Sequence, residues 1–111
     1  MNQLDDTAFK ELNEMTIAIA ERFFFVKKMK EITDKHLIKE QSLDEFNSLD
    51  RFLLKVQRAY DSLNDLEKNL INNEFFYQSY SQWWKPLYSK ATFYRYKKEA
   101  MLKFLGAFYE S

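Results

Sequence analysis

Cysteine is absent from the 111-residue chain, which excludes disulfides, thiolate metal centres and thiol nucleophiles. A single glycine and a single proline leave almost none of the turn chemistry that β-hairpins need. The one histidine, His36, stands among lysines and acids, so neither a zinc site nor a Ser-His-acid triad has its parts. Gly-rich phosphate loops are also missing, and the many carboxylates fall at helix starts and on polar faces. The expectation is a chain that is not an enzyme: no catalytic residues, no metal, no cofactor and no small-molecule substrate. No apolar run approaches the roughly 20 residues of a membrane span. The opening Met1-Asn2-Gln3-Leu4-Asp5-Asp6 is acidic, unlike a signal peptide, so no membrane association and a cytoplasmic location are expected.

Aromatic residues, by contrast, make up 18% of the chain, more than a disordered segment carries, so a packed core is expected. The length suits one compact domain. With Leu, Lys, Glu, Phe and Met plentiful, the fold class is all-α: a small bundle of about five helices.

A first helix is predicted over about Asp6 to Lys35, capped by Asp6 or Thr7. Leu12, Met15, Ile19, Phe23 and Val26 line one face at spacings of three and four. Ile17, Phe24 and Phe25 widen that stripe until the middle is apolar nearly all round. Two readings stand side by side: a central core helix, or a helix that docks on another protein or forms a dimer. Ser42-Leu43-Asp44-Glu45 has the pattern of a capping box opening a second helix, on which Phe46, Leu49, Leu53, Val56, Tyr60 and Leu63 recur, to about Ser62. A third helix is predicted over about Asn64 to Phe76, with Leu66, Leu70, Ile71 and Phe75 inward and Asn72-Asn73 as its weak point. A short fourth helix is predicted over Gln82 to Lys85, limited by Pro86. Trp83 and Trp84 read either as core plugs or, with Tyr77, Tyr80 and Tyr88, as a platform for unpaired bases.

Ser89 is placed to cap a last helix, Lys90 to Phe108, with Phe93, Tyr96, Ala100, Phe104 and Phe108 inward and Lys90, Ala91, Tyr94, Arg95 and Lys98 outward. The formal net charge is zero, yet its distribution is uneven. From Tyr77 onward six cations, Lys85, Lys90, Arg95, Lys97, Lys98 and Lys103, face only Glu99 and Glu110, a balance of +4 against −4 on the rest. A helix N-terminus favours phosphate, Arg can read guanine bidentately, and Lys or Tyr can hold the backbone. Periodicity alone allows a DNA-reading helix and an ordinary lysine-rich face equally.

The segments Val56-Gln57-Arg58-Ala59-Tyr60-Asp61-Ser62-Leu63-Asn64-Asp65-Leu66-Glu67-Lys68 and Tyr88-Ser89-Lys90-Ala91-Thr92-Phe93-Tyr94-Arg95-Tyr96-Lys97-Lys98-Glu99-Ala100-Met101 add a family pattern. Together they resemble the helix-turn-helix region of ArpU-like phage transcriptional regulators and, more distantly, the fourth region of bacterial sigma factors. Leu63, Leu66, Glu67 and Lys68 stand in the first element of that pattern, and Ser89, Thr92, Phe93, Tyr94 and Arg95 in the second. Two places depart from it: Pro86-Leu87-Tyr88 stands where a turn glycine is common, and Lys97 where sigma-type helices keep an apolar residue.

The resemblance implies a C-terminal helix-turn-helix region over 53–111, with residues 1–52 as a helical scaffold or protein-docking region. Helix 90–105 would then be the recognition helix, with Ala100 and Phe104 packed inward. The implied function is a DNA-binding transcription regulator whose contacts to double-stranded DNA come from Lys85, Ser89, Lys90, Thr92, Tyr94, Arg95 and Lys98. By analogy the N-terminal helices would meet RNA polymerase or another protein, and a homodimer fits the same scheme. The alternative is a non-catalytic adaptor module that has lost DNA binding.

Overall fold

The computed structural model describes residues 8–36, 43–77 and 79–110, with the side chains of all of these except 33–36 and 43–47. Among the described residues four α-helices follow one another: α1 (Phe9–His36), α2 (Leu43–Asp61), α3 (Asp65–Ile71) and α4 (Lys90–Glu110). No strand occurs among the described residues, and no helix is long and apolar enough to cross a membrane. The N-cap expected at Asp6 or Thr7 and the Ser42 side of the capping box expected before α2 lie outside the described residues, as does the side chain of His36.

α4 forms the centre of the bundle, packing against α1, α2 and α3 in turn. Its inner face buries Phe93, Ala100, Met101, Phe104, Leu105 and Phe108, so the expected stripe is present and is widened by Met101 and Leu105. Tyr96, also expected inward, is only half-buried. α1 supplies Leu12, Ile19, Ala20 and Val26 to the bundle, and α2 supplies Val56 and Ala59. Buried residues on both sides of position 53 therefore belong to one cluster. Thr16 is the one buried polar side chain among the described residues, and its hydroxyl donates to the Leu12 carbonyl one turn back at 2.8 Å, which removes the cost of burying it.

The α2–α3 corner is tightly built. Ser62 closes α2 by donating its N–H to the Arg58 carbonyl and its hydroxyl to the Ala59 carbonyl. Two residues later a reciprocal cap opens α3: the Glu67 N–H donates to Asn64 Oδ1 at 2.9 Å, and the Asn64 N–H donates to the Glu67 carboxylate at 2.8 Å. The first turn of α3 lies on the surface at this corner, with Asn64 and Asp65 exposed, so Leu66 stays 39% exposed rather than turning inward as expected; Leu70 and Ile71 fill the core instead.

α3 does not end at Ile71 but widens into a π-helical turn, Asn72–Phe76, in which the Tyr77 N–H reaches the Asn72 carbonyl at 2.7 Å. The two asparagines make this possible through side-chain bonds: Asn72 Nδ2 donates to the Tyr60 hydroxyl and Asn73 Nδ2 to the Asn69 carbonyl. The expected weak point is thus a wide turn rather than a frayed end.

The expected fourth helix over Gln82–Lys85 is not formed. Residues 81–87 make successive turns, with the N–H groups of Trp83, Lys85 and Leu87 each donating to the carbonyl three residues back. Gln82 sits at φ 62°, in the left-handed region, which breaks any right-handed helix at that point, and Pro86 offers no N–H to continue one. The tight helix-to-helix connection expected before Ser89 is consequently a run of turns.

Phe104→Ala should lower the unfolding free energy by about 3–5 kcal/mol, since a fully buried ring at the centre of the bundle is lost. Asn64→Ala, which removes one half of the exposed cap, should cost about 1 kcal/mol. Urea denaturation of the two variants checks both values and their order.

Candidate nucleic-acid interface

The start of α4 is set by Ser89. Its hydroxyl accepts the Thr92 N–H at 3.2 Å and donates to Thr92 Oγ1 at 2.9 Å, while its carbonyl takes the Phe93 N–H. One orphan amide of the first turn is thereby satisfied, and the helix begins abruptly. Both hydroxyls that the sequence assigned to DNA contact are engaged with each other, which makes Ser89 a cap and leaves Thr92, half-buried, with only its own hydroxyl hydrogen to offer.

Behind this turn the two tryptophans pack rather than project. Trp84 stacks on Phe93 with ring centres 4.5 Å apart and planes 8° from parallel, and Trp83 meets the same ring edge-on at 6.0 Å. Trp83 is buried and its indole N–H donates to Glu74 Oε2 at 2.8 Å. The other oxygen of that carboxylate, Oε1, receives Lys97 Nζ at 2.7 Å, with the two side chains only 19% and 12% exposed. Lys97 Nζ also lies 5.6 Å from the Phe9 ring centre and 5.2 Å from that of Phe75. The cation that departs from the apolar pattern of sigma-type helices is therefore an inward-facing structural residue.

Sequence reasoning missed Glu74. Nothing local marks it, because its partners lie 9 and 23 residues further on. The one signal available was Lys97, a charge on the inner arc of an amphipathic helix that needs a counter-charge from elsewhere in the fold.

The remaining cations divide cleanly. Lys103 pairs with Glu67 at 3.1 Å. Lys85, Lys90 and Arg95 are exposed and Lys98 is half-exposed, and none of the four has a carboxylate partner among the described residues. Arg95 lays its guanidinium 5.2 Å from the Tyr96 ring centre, which orients it without neutralising it. Tyr94 is 43% exposed, its ring braced edge-on by Phe9 at 5.4 Å and by Phe93. An open groove of about 890 Å³ runs between the 79–85 turns and the first two turns of α4, with Lys85, Ser89, Lys90 and Tyr94 on its walls.

Of the seven expected site residues, then, Lys85, Lys90 and Tyr94 line one groove at the start of α4, Arg95 and Lys98 lie on the same helix outside that groove, and Ser89 and Thr92 build its cap. No cluster of three or more potential metal-ligating side chains occurs among the described residues. The chain matches no protein-family model, and no curated protein or solved structure matches it.

Glu74→Ala should destabilise the fold by about 2–4 kcal/mol, because it strands a largely buried ammonium and an indole N–H. Lys103→Ala, at an exposed ion pair, should stay within about 0.5 kcal/mol of the parent. Denaturant midpoints of the two variants measure the contrast.

Proposed function

We propose that the chain is a non-enzymatic DNA-binding transcription regulator that lays the first turns of α4 in the major groove of duplex DNA. One observation carries the reading: among the described residues the four cations around the start of α4 have no carboxylate partner, while the two other cations of the C-terminal third are tied up by Glu74 and Glu67.

Within this reading Arg95, its guanidinium 5.2 Å from the Tyr96 ring centre, is the residue suited to a bidentate contact with guanine. Lys85 and Lys90, on the two walls of the groove, suit phosphates, and Lys98 one turn along suits the same strand. Tyr94 contributes a hydroxyl to a phosphate or a ring to a sugar. Ser89 acts by fixing where the helix starts. The resemblance of Ser89-x-x-Thr92-Phe93-Tyr94-Arg95 to the opening of ArpU-like and sigma-type recognition helices agrees with this placement. The bihelical unit would be α3 with α4, joined by the 77–89 connection in place of a three- or four-residue turn.

Titration of random duplex DNA at increasing salt tests the proposal. The three lysine–phosphate contacts predict log Kobs falling with log salt at a slope of about −2.7. The double variant Arg95→Ala, Lys98→Ala should flatten that slope by about 1, through Lys98, and weaken binding further through the lost Arg95 contact, with its denaturant midpoint little changed because neither side chain is buried. Absence of binding at low salt, or binding that salt and the double variant leave alone, overturns it in favour of a helical adaptor.

A further inference from the structure

α1 carries a second apolar face. Its inner face is covered by the bundle, yet on the opposite side Ile17, Phe24, Phe25 and Ile32 are 39%, 45%, 62% and 38% exposed. At 100° per residue these four fall in one stripe along about 22 Å of helix. Two charges, Glu21 and Lys28, lie on the line between them; both are exposed and neither has an ion-pair partner among the described residues.

The order along this stripe is Ile17, Glu21, Phe24, Phe25, Lys28, Ile32, and it is the same read from either end except that the charge changes sign. A surface with that property is complementary to itself in the antiparallel sense. A two-fold axis between Phe24 and Phe25 places Ile17 against Ile32 of the second copy, Glu21 against its Lys28, and the four phenylalanine rings together at the centre. Parallel pairing would instead set Glu21 against Glu21 and Lys28 against Lys28.

We infer that α1 is a dimerisation helix, and that the occupant of its outer face is α1 of a second copy of this chain, packed antiparallel about Phe24 and Phe25. The inference does not rest on the DNA reading. The stripe is narrow, so the interface falls at the small end of the range for specific association and the dimer dissociates in the micromolar range. Glu21 and Lys28 set direction and register, and the rings supply most of the affinity.

Sedimentation equilibrium of the full chain without DNA, from low micromolar to several hundred micromolar, is expected to show a monomer–dimer equilibrium. Phe25→Glu should render the chain monomeric throughout that range, with its circular dichroism spectrum unchanged because the ring is mostly exposed in the monomer. Glu21→Lys and Lys28→Glu should each weaken the dimer about tenfold, and the double exchange should restore it, since the reversed pair is again complementary across the axis. A chain that is monomeric at every concentration overturns the inference. So does a dimer that Phe25→Glu leaves intact, or one that the double exchange fails to restore, since either places the contact on another face or in another register.

Discussion

A single carboxylate holds the C-terminal half of this protein in place. Glu74 gives one oxygen to the Trp83 indole and the other to the Lys97 ammonium, linking the π-helical turn, the 79–89 connection and α4 in one node. The connection has no regular secondary structure of its own, so its backbone cannot brace it as a helix would. What holds it is this node together with the stacking of Trp84 and Trp83 on Phe93. Outside the node, Lys85, Lys90, Arg95 and Lys98 have no carboxylate partner among the described residues.

The helices were legible because each is long enough to show its period. Leu12, Ile19 and Val26 on α1, and Phe93, Ala100, Phe104 and Phe108 on α4, recur at three- and four-residue intervals and are buried as that recurrence requires. Ser89 was legible as a cap because the determinant is local. The 81–87 turns were not: Trp83-Trp84-Lys85 has helix-compatible composition, and the left-handed backbone at Gln82 that separates the two outcomes has no mark in the local sequence. Asn72-Asn73 gave a true signal of weakness at the end of α3, but not its form, because a π turn depends on partners such as Tyr60 that lie a helix away. Of the expected site, the outward cations were readable from helical phase. The role of Thr92 was not, since its hydroxyl has two competing uses that sequence cannot rank.

α1 shows what periodicity leaves ambiguous. A helix apolar nearly all round is compatible with full burial or with two separate faces, and only the packing of α2, α4 and the π-helical turn around one side distinguishes them. Here one side is filled and the other carries Phe24 and Phe25 outward. Phe24 stands at the margin, its ring 5.6 Å from Phe23 and 6.1 Å from Phe76, so the outer stripe is anchored to the core and not an isolated patch.

The π turn at Asn72–Phe76 also bears on how the chain tolerates changes in length. A π turn amounts to one extra residue accommodated within an α-helix. Deleting a single asparagine there would restore regular winding and change the azimuth of the residues inside the turn. Glu74 would then swing off Lys97 and Trp83. Insertions and deletions in loops are ordinarily absorbed, but at this point the count of residues is coupled to the placement of Glu74 and so to the node it forms with Trp83 and Lys97.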